Sequence, residues 1–217
     1  MKTHALSGTG FSGNIFLVDA EKPVLIDAGW SPDVGHVAKQ VAEVLGDRKL
    51  EHIILTHRHI DHVGGALAFQ KRFGGEMLAH EDDAQPLIAG DPISTGATTF
   101  GGDISPMEVT TVTHGETIDL GGGEGLEVIH TPGHTIGSIC LMGQNALFSG
   151  DTVFAAGGVG RWDLPTGSYE QLLDSIRKLS DIMVDDMYPG HGPVVEGNAP
   201  EHISMGLRAL EMYGGYG

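Results

Sequence analysis

Apolar residues along the 217-residue chain fall into two kinds of pattern, one in each half. In the first half, short apolar runs alternate with stretches of helical spacing. Residues 14–18 (NIFLV) and 24–29 (VLIDAG) read as strands on either side of a turn at Ala20–Pro23. Ser31 then offers an N-cap and Pro32 a first helical position. Val34, Val37, Ala38, Val41, Ala42 and Leu45 follow at helical spacing, and Gly46 is the stop. Residues 51–56 (EHIILT) read as a buried strand running straight into His57, with a helix through Ala66–Arg72 beyond it. In the second half, residues 108–113, 126–130, 137–142 and 145–149 are strand-like runs divided by Gly-rich turns, a pattern that predicts antiparallel hairpins. Ser168 and Gln171 form a capping box for a helix with apolar face Leu172, Leu173, Ile176 and Leu179. A last helix begins near Asn198, with Glu201 three residues on, and ends in the tail glycines. Mixed sheets packed between helices follow. Two long loops, 89–107 and 154–168, have the length at which loops in compact domains are functional or mobile excursions.

Composition narrows the class. With no internal repeat and no linker, residues 1–217 read as a single domain, and 34 glycines predict many tight turns. A net charge of −17 repels phosphate backbones and anionic lipid heads, so the expected partner is a small molecule, with neither nucleic acid nor membrane. The single cysteine, Cys140, excludes an intrachain disulfide framework and an all-thiolate metal site, and in its apolar run it reads as an inert core thiol. The N-terminus lacks the apolar region of a signal peptide and no apolar run approaches membrane-spanning length, so a cytoplasmic monomer or homodimer is expected.

The decisive chemistry lies in THRHIDHVGG, residues 56–65, where His57, His59, Asp61 and His62 occupy six positions. Imidazole and carboxylate together suit divalent ions such as zinc, iron or manganese. Four potential ligands exceed what one catalytic ion takes from so short a segment, because such an ion keeps a position open. The excess points to two ions. His134 in HTPGHTIGS, Asp151 in LFSGDTVF and His191 in YPGHGP each stand just past an apolar strand, where ligands collect in open α/β sheets.

This order of residues, HxHxDH followed by His134, Asp151 and His191, resembles the metallo-β-lactamase-fold superfamily, in particular its glyoxalase II-like (hydroxyacylglutathione hydrolase-like) branch. The match runs from the LIDAG strand at Leu25–Gly29 to His191, and GDTVFAAGGVGRWDLPTGS resembles the family's segment after its bridging Asp. The resemblance implies an α/β fold, an αβ/βα four-layer sandwich of two mixed β-sheets flanked by helices. It also implies a dinuclear site on one edge of that sandwich. His57, His59 and His134 would form one metal site; Asp61, His62 and His191 the other; Asp151 would bridge both. Glyoxalase II itself continues into a glutathione-binding helical domain. Here 26 residues follow His191, so no such domain is expected. Asp stands at 151 where familiar β-lactamases of this fold use Cys, which argues against antibiotic hydrolysis as the native role.

Two divalent ions, zinc first and iron or manganese as alternatives, can share a water and lower its pKa from 15.7 towards about 7. The bridging hydroxide, oriented by Asp61 and Asp151 as the catalytic carboxylates, attacks a carbonyl, and a metal stabilises the oxyanion. A thiolate, whose thiol pKa is near 8.5, departs unprotonated, whereas an amide nitrogen needs an acid that the sequence does not supply. The expectation is a metal-dependent hydrolase of thioesters of small acids, glyoxalase II-like. The alternatives are a mononuclear iron persulfide dioxygenase using His57, His134 and Asp151, a lactonase or esterase of the same fold, and a binding module that has lost catalysis. Asp27 reads as a carboxylate orienting a ligating His. His80, His114 and His130 read as structural. Arg161 fits either an anionic substrate group or a salt bridge within its loop, and Trp162 either a pocket wall or a plug against the core.

Overall fold

The computed structural model describes residues 1–6, 8 and 10–214. The first sheet is built from β1 (Lys2–Leu6), β2 (Ile15–Asp19), β3 (Val24–Ile26), β4 (His52–Ile54), β5 (Glu76–His80) and β6 (Thr110–Val112), in that order across the sheet. β1, β2 and β3 pair antiparallel, and β3 through β6 pair parallel. The second sheet is built from β7 (Thr117–Gly121), β8 (Glu124–His130), β9 (Ile139–Gly143), β10 (Ala146–Gly150) and β11 (Asp186–Pro189). Its first four strands form an antiparallel meander, and β11 joins β10 in parallel.

Period-two alternation sorts the strand residues into layers. Ile15, Leu17, Leu25 and Ile53 point outward onto α1 (Val34–Leu45) and α3 (Ala66–Phe73), meeting Val37, Val41 and Phe69. Phe16, Val18, Ile26 and Ile54 point the other way, onto Leu126, Val128, Leu141 and Phe148 of the second sheet. Ile129, Cys140, Leu147 and Met187 cover that sheet's outer face beneath α6 (Tyr169–Ser180) and α7 (Ala199–Gly214). The result is the expected αβ/βα sandwich of four layers.

Local differences have local causes. Ser31 does not cap α1. Residues Ser31–Asp33 make a 3-10 turn, and the Ser31 hydroxyl donates to Gly64 O at 3.0 Å. The predicted strand 24–29 stops at Ile26 because Asp27 turns to φ 58°. β1, β5, β7 and the helix α4 (Glu81–Ala89) have no counterpart among the predicted elements, and the 89–107 loop holds a short helix, α5 (Ala97–Phe100). Ser168 caps α6 as expected, its hydroxyl accepting from Gln171 N. α7 closes at Gly214, the first tail glycine; Gly215 and Gly217 lie outside the described residues. Among the described residues no helix is long and apolar enough to cross a membrane.

Candidate metal centre

The chain leaves β4 at Ile54 and carries His57 and His59 along the edge of the first sheet before entering α2 (Ile60–Val63), which holds Asp61 and His62. His134 lies in the turn from β8 to β9, Asp151 directly after β10, and His191 directly after β11. All seven meet at one edge of the sandwich. Three overlapping groups have ligand atoms within 4.8 Å of one another: His57, His59 and His134; His57, His62 and Asp151; Asp61, His62 and His191.

Backbone approaches this close are possible only at glycine. A Cβ on Gly13 would lie 2.5 Å from the His62 ring, and one on Gly190 would lie 2.2 Å from Asp151 Oδ1. Two loops therefore press directly on the cluster without filling it.

Hydrogen bonds fix which nitrogen of three of the rings faces the centre. Asp27 receives Thr56 N and Thr56 Oγ1, each at 2.8 Å, and accepts from His62 Nδ1 at 2.8 Å. Because the Thr56 hydroxyl donates to Asp27, it accepts from His57 Nδ1 at 3.1 Å. His134 Nδ1 donates to the Arg161 carbonyl at 2.7 Å. Each contact presents the ring's Nε2 to the cluster, as partners of metal-ligating imidazoles do.

Several inward-facing atoms lack a complementary hydrogen-bond partner. His57 Nε2 and Asp151 Oδ1 are buried without a hydrogen bond. His59 Nδ1 lies 2.8 Å from His134 Nε2, and His62 Nε2 lies 3.2 Å from His191 Nε2, nitrogen against nitrogen. A buried polar atom without a partner costs about 1–3 kcal/mol, so this many in one place is a poor design for a protein alone. It is a good one for cations, and the mixed nitrogen and oxygen donor set fits divalent metals. The electrostatics agree. Burial and neighbouring rings hold His57 well below the ordinary imidazole range and His59 at about 3, so both stay neutral. Burial opposes charge on His62 and on Asp151, but for His62 the combined attraction of Asp151, Asp27 and Asp61 outweighs it and raises the imidazole, and for Asp151 that of His62, His134 and His191 lowers the carboxyl.

A fourth cluster, His80, Asp82 and His130, is different. The two rings stack at 3.9 Å with planes 12° apart, so no single ion can lie in both ring planes. Their nitrogens are also engaged: His130 Nε2 donates to Ile136 O and His80 Nδ1 accepts from Asp82 N. The structural reading of His80 and His130 fits this arrangement.

Of the open alternatives, Arg161 makes a salt bridge to Asp163 within its own loop, at 2.8 and 2.9 Å, and it is the Arg161 carbonyl that touches the cluster. Trp162 packs on Tyr169 and Tyr213, plugging the loop against α6 and α7. A buried hub was missed. Arg58, between His57 and His59, bonds Asp83 Oδ1, Ser94 O, Pro165 O and Thr166 Oγ1. Asp83 also accepts from Arg58 N, Thr135 Oγ1 and Gly137 N. The hub ties the 57–59 segment to the His134 turn and to both long loops. A cation placed between two histidines that must both turn inward was the available signal.

Two cavities open beside the cluster. One, of about 470 Å³, is lined by Phe11, Trp30, Ile60, Asp61, Phe100 and His191 among others. The second, of about 280 Å³, is bordered by His59, His134, Asp151, Phe154 and Leu164, and shares Asp61, Phe100 and His191 with the first.

Comparison with known proteins places this geometry. The family model of the Metallo-beta-lactamase superfamily matches residues 8–191. A probable metallo-hydrolase of Methanocaldococcus jannaschii is 37% identical over 199 residues, covering 87% of this chain and 92% of the relative. A hydroxyacylglutathione hydrolase of Haemophilus influenzae is 32% identical over 201 residues, covering 88% and 91%. Among solved structures, the B3 metallo-beta-lactamase BLEG-1 superposes with a TM-score of 0.81 at 25% identity, over 95% of this chain and 97% of that one. With its four layers, its histidine and aspartate cluster and a match across most of its length, the chain belongs to the metallo-beta-lactamase superfamily.

Proposed function

We propose that this metallo-hydrolase family member is a dinuclear enzyme cleaving thioesters of small acids, with residues 1–217 acting as one domain. The observation that carries the reading is the set of three overlapping ligand groups at one edge, in which His57 Nε2 and Asp151 Oδ1 are buried without a hydrogen bond. His57, His59 and His134 would hold one ion, Asp61, His62 and His191 a second, and Asp151 would contact both, with zinc the favoured metal. Bound there, two divalent ions would supply Lewis acidity and lower the pKa of a bound water towards about 7.

The chain's own residues do the rest. Asp61 Oδ2 lies 3.2 Å from His191 Nε2 and 3.6 Å from His62 Nε2 on the open side of the cluster, placed to accept a proton from an attacking water and to orient it. Asp27, Thr56 and the Arg161 carbonyl hold the rings so that nothing reorganises during reaction. Apart from the seven cluster residues, the lining of the two cavities contains no Lys, Tyr, Glu or Cys among the described residues. A leaving group there receives no proton from a dedicated acid, which favours a thiolate over an amine. The coarser family likeness to metallo-hydrolases and to a hydroxyacylglutathione hydrolase supports the same reaction class.

The test follows thiol release from S-lactoylglutathione and from S-acetyl-N-acetylcysteamine by metal-replete protein, beside Asp61→Ala, with metal content measured on both. Turnover with two ions per chain, lost in the variant, is the expected result. One iron per chain with oxygen uptake on a persulfide would overturn it in favour of the dioxygenase.

A further inference from the structure

Apart from Thr99 and the cluster residues Asp61 and His191, the described lining of the larger cavity is apolar. Trp30 and Ile60 form its floor, fixed from below by Gly102, where a Cβ would lie 2.7 Å from Ile60 and 3.2 Å from the Trp30 indole nitrogen. Phe11 stands at its rim, edge-on to Trp30 at 6.2 Å, on a loop whose Ser12 hydroxyl accepts from Trp30 N. Phe100 stands on the opposite side, at the end of α5, and borders both cavities. Phe11 is 78% exposed and Phe100 47%. Large rings left in water around one opening are unfavourable for the free protein and mark a surface that something apolar covers.

Charge points the same way. Among the described residues no Lys or Arg lines this cavity. Arg161, in the smaller one, is held in its salt bridge to Asp163, and the chain carries a net charge of −17. An acyl group bearing a carboxylate finds no cationic partner in this lining. Size is permissive, since an apolar cavity of about 150 Å³ already holds benzene and this one is about 470 Å³. Asp61 and His191 line the same hollow, so a group seated in it lies beside the atoms that would carry out the reaction.

We propose that the hollow between Phe11, Trp30 and Phe100 is the acyl subsite, and that it favours uncharged aliphatic or aromatic acyl groups, binding longer ones more tightly than short ones. The inference rests on the reading of the histidine and aspartate cluster as the reacting centre. Trp30 reports occupancy directly, whereas Trp162 packs against Tyr169 and Tyr213 outside the lining.

The experiment uses Trp162→Phe protein and follows Trp30 fluorescence on titration with the uncharged ketones 2-pentanone, 2-heptanone and 2-nonanone. Hydrolysis of butanoyl, hexanoyl and octanoyl thioesters of N-acetylcysteamine is measured in parallel. Ketone affinity is expected to rise about two- to fourfold per methylene, and Phe11→Ser with Phe100→Ser should flatten that slope. Where the thioesters are cleaved, their KM should follow the same order. Ketone binding independent of chain length, or unchanged in the double variant, overturns the subsite even if S-lactoylglutathione is cleaved. Length-dependent ketone binding without cleavage of any thioester supports the subsite and removes the thioester reading.

Discussion

Asp27 Oδ2 and His62 Nδ1 lie 2.8 Å apart, and the backbone at Asp27 takes a left-handed turn (φ 58°). Short polar residues tolerate that conformation better than most, so β3 ends on a carboxylate that is both a turn former and a clamp. Replacing Asp27 by Asn keeps the turn and removes the charge. Metal affinity or turnover is expected to fall about 10- to 100-fold, read as metal content after dialysis and as kcat/KM. Unchanged values for both would refute the clamp.

Removing the metals tests the cluster as a whole. Chelation should abolish turnover and lower the melting temperature by about 5–10 °C, because an ion held at a hundred times its Kd contributes about 2.7 kcal/mol and each kcal/mol is worth roughly 2–4 °C in a chain of this size. Added zinc should restore both. A melting temperature indifferent to chelator would count against resident ions.

The Arg58–Asp83 pair predicts a purely structural cost. Arg58→Ala leaves a fully buried carboxylate without its cation, and breaking such a pair costs about 3–5 kcal/mol. The double variant with Asp83→Ala stays destabilised, because Arg58 N, Thr135 Oγ1 and Gly137 N lose their acceptor. Urea unfolding of both variants reads this directly; full recovery in the double variant would show that the charge pair alone mattered.

Cys140 gives a pH signature away from the cluster. Burial pushes its thiol up to about 11 from an ordinary 9.0. Between those values the folded chain keeps a proton that the unfolded chain has released, so stability falls as pH rises through this window. Wild type should lose about 2 kcal/mol more than Cys140→Ala between about pH 8 and about pH 10.5. Equal losses in the two proteins would mean that the thiol ionises freely in the fold. At neutral pH the native thiol should resist alkylation and react only on unfolding.

What could be read from the sequence depended on how far each feature reaches along the chain. α1 and α6 carry their own periodicity and stops, and the 57–62 cluster declares itself because few chemistries need three imidazoles and a carboxylate in six positions. Asp27 was legible as a strand-end carboxylate. β1 is a half-exposed edge strand whose pattern is weak, and Pro86 with three acidic residues in the first turn obscures α4. The Arg58–Asp83 hub gathers atoms from positions 58 to 166, a grouping that exists only once the chain has folded. The hollow beside Trp30 has the same origin, since Phe11 and Phe100 are brought together by two unrelated loops.

The seven cluster residues are divided four to three between the two sheets: His57, His59, Asp61 and His62 follow β4, whereas His134, Asp151 and His191 follow β8, β10 and β11. Neither half owns a complete set. Ions seated at their shared edge would therefore act as a rivet between two independently built layers, and capture of metal would report that the halves have docked in register. A chain with its sheets misaligned by one strand residue would remain metal-poor, whatever the state of its individual strands.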